Sequence, residues 1–191
     1  FSSRPESSRG NRETHKIQWE CEKGIGNFKG TPEGWRVTRV LQAYDLRNPA
    51  EPRHIRDFGL VGWEPSATGP FPEYNISGLH QTFAHGDRIY VGYGSGNNGT
   101  LQILDKDRFL NGNPGADDPF VPTPENLLYP EIARLDMPSY WGVHTAKPIL
   151  GSEISDGEGG VENSMRDFLI VPSEAGGAAI FCTGELDLLF F

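Results

Sequence analysis

The stretch that most constrains this chain is Asp87–Asp105, DRIYVGYGSGNNGTLQILD. Apolar, aromatic and β-branched residues fill Arg88–Tyr93 and Thr100–Leu104, and Gly94, Gly96, Asn97, Asn98 and Gly99 separate the two runs. Such runs read as strands, and glycine and asparagine tolerate the positive φ that a tight reversal needs. The pattern predicts a β-hairpin. The same glycines spell G-x-G-x-x-G, the outline of a dinucleotide-binding loop. That loop has to open a helix whose first N–H groups hold the pyrophosphate. Here Thr-Leu-Gln-Ile-Leu-Asp follows, a strand pattern, which favours a turn.

The 191 residues are enough for one domain with a sizeable core. With 24 Gly and 15 Pro, the composition suits a β-protein with many turns and long loops. A balance of 17 basic and 26 acidic residues, net charge -9, argues against a non-specific nucleic-acid binder, which needs a cationic face. No run of 18 apolar residues is present, so no helical membrane span is expected. Cys21 and Cys182 are the two cysteines; they form no zinc-ligand set, and a disulfide between them and two free thiols both stand open. Asn75-Ile-Ser and Asn98-Gly-Thr fit the glycosylation acceptor pattern, which matters only for a secreted eukaryotic protein.

In chain order, residues 1–14 are read as a polar tail or linker and 15–191 as the folded domain. Strands are expected at Ile17–Cys21, Trp35–Leu46, Pro52–Leu60, Leu128–Leu135, from His144, at Arg166–Val171 and from Ala178. Gly24–Gly34, Trp63–Gly78 and Phe109–Leu127 read as loops, and Gly151–Ser164 as an acidic, glycine-rich insertion. The chain starts without Met and closes on the apolar LDLLFF, and both features predict a portion of a longer fold.

Two internal matches give this list of strands an order. Leu41-Gln-Ala-Tyr-Asp returns as Leu101-Gln-Ile-Leu-Asp, and Asp87-Arg-Ile-Tyr-Val returns as Asp167-Phe-Leu-Ile-Val. The implied unit is roughly 60 residues long, and a β-unit recurring at such a period indicates a propeller or an array. The fold class expected is therefore all-β: a partial β-propeller of about three such units with long loops, its last unit incomplete. An ordinary β-sandwich with chance matches is the alternative.

Tyr44-Asp-Leu-Arg-Asn-Pro-Ala-Glu-Pro resembles a segment of LVIVD-repeat proteins, a β-propeller family of bacterial and archaeal surface or secreted proteins. The likeness continues through His54-Ile-Arg-Asp-Phe-Gly-Leu, Asp87-Arg-Ile-Tyr-Val-Gly-Tyr-Gly, Leu101-Gln-Ile-Leu-Asp-Lys-Asp-Arg, Pro122-Thr-Pro-Glu-Asn-Leu, His144-Thr-Ala-Lys-Pro-Ile and Val171-Pro-Ser-Glu. It covers roughly Trp19–Phe181, and Gly151–Ser164 departs from it. The resemblance implies a propeller and an extracellular, cell-surface or periplasmic location. It also implies channel-facing histidines of the kind by which some related propellers bind metals. No single activity attaches to the family.

His80 and His144 begin successive units, so in a propeller they would converge on the channel. With Glu174 they form the candidate metal set, since neutral imidazoles and a carboxylate suit one divalent transition metal ion. The alternative is that all three only fix loops and packing. His85 is expected in a turn with Gly86 and Asp87, His54 on an outer strand and His15 in the tail. Asp156, Glu158 and Glu162 offer oxygen ligands, but the loop fails the EF-hand spacing. Tyr90, Tyr93, Tyr129, Tyr140 and Trp141 suit either a binding face for sugars or peptides or the core. No G-x-S-x-G elbow or P-loop is present, and no catalytic residue can be named.

Two functions follow as expectations. One is a non-enzymatic interaction module or scaffold that pairs with further blades of its parent chain, another protein or a second copy of itself. The other is a metal-dependent oxidoreductase or lyase built on His80, His144 and Glu174; beside both stands a purely structural set of blades with no ligand of its own.

Overall fold

The computed structural model describes residues 17–20, 25–30, 32–71, 78–94, 98–138, 141–155, 161–173, 177–182 and 188–190. The described residues form three four-stranded antiparallel sheets. Sheet 1 holds β1 (Ile17–Glu20), β2 (Ile25–Gly30), β3 (Val40–Asp45) and β4 (Arg53–Phe58). Sheet 2 holds β5 (Leu79–His85), β6 (Arg88–Tyr93), β7 (Thr100–Asp105) and β8 (Glu131–Asp136). Sheet 3 holds β9 (Lys147–Ser155), β10 (Val161–Ser173), β11 (Gly177–Cys182) and β12 (Leu188–Phe190). In each sheet every strand pairs with the next in sequence, and no sheet closes on itself.

The expected hairpin is β6–β7, with Arg88 opposite Asp105 and Tyr93 opposite Thr100. A strand sends successive side chains to opposite faces, and here both faces are apolar. Ile89, Val91 and Tyr93 enter one core with Leu79 and Leu104 and with Val40, Leu41, Phe58 and Trp63 of the sheet 1 unit. Tyr90 and Leu101 enter a second core with Met137, Val143 and Ala146 and with Leu169 and Val171 of sheet 3. Sheet 2 is thus packed on both faces, which explains why β6 reads as an unbroken apolar run instead of an alternating one. Burying each such Val, Leu or Ile fully contributes about 1.5–3 kcal/mol.

The internal matches fall on equivalent strands. The Leu41 and Leu101 motifs lie in β3 and β7, each third in its sheet; the Asp87 and Asp167 motifs lead into or lie within β6 and β10, each second. The expected third unit is corrected in one respect: it also has four strands.

Other corrections have local causes. Gly24–Gly34, expected as a loop, contains β2, because pairing on both edges, with β1 and with β3, outweighs the weak strand propensity of Gly26, Asn27 and Gly30. Leu79–His85, where no strand is expected, forms β5 and pairs along β6. Phe109–Leu127 is not loop throughout. It takes in the end of α1 (Lys106–Asn111), capped where the Asp105 carboxylate accepts from the Arg108 amide at 2.9 Å and stopped by Gly112 at φ 74. It also takes in most of α2 (Pro124–Leu128), capped by Thr123 with proline in its first turn. Leu128 closes α2, and the strand expected from there begins at Glu131. The Gly151–Ser164 segment is not one loop either: Gly151–Ser155 belongs to β9 and Val161–Ser164 to β10. Phe1–Glu13, His15, Cys21 and Asn75 lie outside the described residues.

The helices plug the first core with Phe109 and Leu127, both essentially inaccessible. Arg56 of β4 ties them down. Its Nη1 donates to the Phe109 carbonyl and its Nη2 to the Asn126 carbonyl, each at 3.1 Å. The guanidinium sits 5.1 Å from the Phe58 ring centroid, 5.3 Å from Phe109 and 5.7 Å from Phe120. Burial pulls its pKa down to about 10, which leaves it charged at neutral pH.

Candidate functional site

The site is built where sheet 2 hands over to sheet 3. His80 is the second residue of β5. His144 lies three residues before β9 and extends its pairing, its amide donating to the Pro172 carbonyl at 3.0 Å. What brings the two together is the path of the segment 141–143. It crosses the β6–β7 hairpin over two residues that lack side chains. A Cβ on Gly92 would lie 2.9 Å from both Cγ1 and the carbonyl oxygen of Val143. One on Gly99 would collide with the Val143 amide nitrogen and lie 2.7 Å from the Trp141 carbonyl oxygen. Real Cβ contacts are not that short, so only glycine allows this approach. Hydrogen bonds then fix it: the Gly99 amide donates to the Trp141 carbonyl at 2.6 Å and the Val143 amide to the Tyr93 carbonyl at 3.3 Å.

The result is a pair of imidazoles whose ring centroids are 4.0 Å apart at an interplanar angle of 37°. His80 is buried and His144 half-buried. His80 Nδ1 lies 2.6 Å from the His144 carbonyl oxygen. A carbonyl can only accept, so Nδ1 carries the proton, and in the neutral ring Nε2 holds the lone pair. That tautomer is the one a metal-ligating histidine adopts when a backbone carbonyl fixes its other nitrogen.

The convergence of His80 and His144 is therefore present. The third expected ligand, Glu174, lies outside the described residues, next to Ser173 at the end of β10. Among the described residues no group of three or more His, Cys, Asp or Glu could hold a metal ion. The two imidazoles fall short of the three protein ligands of a catalytic zinc site.

The other candidates separate. His85 ends β5 opposite Arg88, beside the Gly86–Asp87 turn. His54 sits on the edge strand β4, its Nε2 2.9 Å from Asp57 Oδ1 and its ring 5.2 Å from Tyr44. Tyr90 and Tyr93 are core residues, so they line no binding face. Burial pushes the Tyr93 hydroxyl well above its ordinary pKa, reinforced by the Glu131 charge. Tyr129 lies under Arg108, Trp141 packs on the second core, and Tyr140 is outside the described residues. Asp156 and Glu158 are also outside them, and Glu162 is placed as part of the β10 backbone. Gly99 leads into β7, not into a helix, so the glycine spacing forms no dinucleotide loop. Among the described residues no helix is long and apolar enough to cross a membrane.

Gly92, Gly99 and Val143 are positioning residues that the sequence did not single out. Gly99 reads as a turn residue, whereas its structural role is to pass a neighbouring backbone. No protein-family model, curated protein or solved structure matches the chain.

Replacing Gly99 with Ala should displace 141–144 and part the two imidazoles. The expected outcome is a loss of about 1–3 kcal/mol in urea unfolding, with a changed environment for both histidine C–H signals by NMR. A variant with wild-type stability and unchanged histidine signals would contradict this account of the site.

Proposed function

We propose that the chain is an interaction module: a run of blades from a β-propeller of the LVIVD-repeat type, displayed at a cell surface or secreted. The observation that carries the reading is serial stacking. Each sheet is a four-stranded meander, and the middle one is covered on both faces by units of the same topology. A series built that way continues by adding a further sheet, from the parent chain, another protein or a second copy. Propellers meet this need by closing the ring. The motif resemblance and the equivalence of the repeated strands support the same reading. So do apolar residues left exposed on edge strands: Ile132 on β8, and Ile149 and Leu150 on β9, each 40–45% accessible.

Sedimentation velocity on the isolated chain over a wide concentration range tests this. Self-association is expected, weakened by Ile149→Asp with Leu150→Asp. A well-folded monomer at every concentration, unchanged by those substitutions, would argue for a self-sufficient body.

The imidazole pair favours a second reading, a metal-dependent oxidoreductase or lyase. His80 and His144 would supply two nitrogen ligands, with Glu174 as third ligand or general base. A divalent transition metal held there would act as a Lewis acid. Elemental analysis of natively purified protein beside a His80→Ala/His144→Ala variant decides the point. Near-stoichiometric metal that vanishes in the variant is expected on this reading; metal-free protein in both samples removes it.

A further inference from the structure

A second feature, remote in sequence from the histidine pair, lies at the loop 61–71 after β4. Its floor is one residue, Gly62, at φ 92. The Gly62 carbonyl accepts from Arg36 Nη1 at 3.0 Å, and the Gly62 amide donates to Glu64 Oε2 at 2.6 Å. A cation and an anion are thus fastened to opposite ends of the same residue. They form no ion pair with each other: Arg36 and Glu64 are absent from the ion pairs among the described residues. Both line one cleft of about 390 Å³, together with Ser66 and Thr68. That size falls in the lower part of the range for small-molecule sites, roughly 300–1,000 Å³.

The burial of Glu64 gives this arrangement its meaning. The residue is only 3% exposed, yet its second carboxylate oxygen, without a hydrogen-bond partner among the described residues, is not one of the enclosed polar atoms and keeps contact with solvent. The Gly62 amide fixes one oxygen, and Glu64 lines the cleft, so the other is an acceptor that a ligand's donor can reach. Arg36 is preorganised as well. Its guanidinium lies 5.2 Å from the Phe71 ring centroid, and its own amide donates to the Trp63 carbonyl at 2.9 Å. Opposite charges that share a cleft and are held apart by a backbone residue match a ligand carrying both charges close together. The rest of the wall includes Val61, Pro70 and Pro124, which suit a short aliphatic group.

We propose that the cleft between the 61–70 loop and Pro124 binds a small aliphatic zwitterion of the α-amino acid class, its ammonium on Glu64 and its carboxylate on Arg36. Ser66 and Thr68 stand at the rim as further hydrogen-bonding groups. The proposal is independent of the propeller and metal readings, since it uses neither the outer faces nor the histidines.

Isothermal titration of the full chain with alanine, N-acetylalanine and alaninamide tests it. The acetyl derivative lacks the ammonium and the amide lacks the carboxylate. Alanine should bind, and each derivative should bind about tenfold or more weakly, the loss expected for one charge-assisted contact. Glu64→Gln and Arg36→Gln should each weaken alanine by a similar factor. The comparison of the three compounds on the unmodified chain holds even if a variant fails to fold. No binding of alanine, serine or leucine at millimolar concentration, or equal binding of all three alanine compounds, would overturn the proposal.

Discussion

The structure depends on the β6–β7 hairpin being buried on both faces. A two-stranded ribbon has little stability alone. Here its two faces belong to two different cores, one shared with sheet 1 and one with sheet 3. Polar groups inside the hairpin are satisfied within sheet 2. The Tyr93 hydroxyl donates to Gln102 Oε1 at 2.8 Å, and Gln102 Nε2 donates to Glu131 Oε2 at 2.6 Å, which links β6, β7 and β8 across the sheet. Truncating this chain would leave a buried acceptor or donor unpaired, at about 1–3 kcal/mol each. The hairpin therefore fixes the register of its own sheet and the spacing of its neighbours.

The candidate site is a consequence of the same packing. The segment that leaves sheet 2 for sheet 3 must cross the hairpin, and it crosses at Gly92 and Gly99, the two places without a side chain in the way. Val143 fills the second core there, and His144 follows it to meet His80. The imidazole contact is thus set by backbone approach and by burial of a valine. On the other face, Arg56 binds the two helices through their carbonyls and three aromatic rings, so the long β7–β8 connection closes the first core.

Much of this was legible in the sequence where hydrophobic period and turn chemistry agreed. The strands β6, β7, β3 and the centre of β10 all appear as apolar-rich runs with Asp, Asn or Gly on at least one side, and the repeated motifs fall on equivalent strands. His80 and His144 stood out in the sequence by their matching places in successive units, whereas their contact is set by the path of 141–143 over Gly92 and Gly99. What stayed hidden depends on tertiary contact. β2 contains Gly26 and Gly30 and is held by partners on both edges. The helices are six and five residues long, below any periodic signal, although Asp105 and Thr123-Pro124 are recognisable starts. Arg36 and Glu64 give no sequence signal, because their relation passes through Gly62 at a turn whose geometry only the fold defines.

Hydrogen–deuterium exchange resolved to single amides tests the central claim most directly. If the hairpin is the doubly covered centre, the amides of Ile89–Tyr93 and Leu101–Leu104 should exchange only through global unfolding, and should be the slowest in the chain. Exchange of those amides at rates like those of the edge strand β8 would show that sheet 2 is not held between two cores, and would contradict the account.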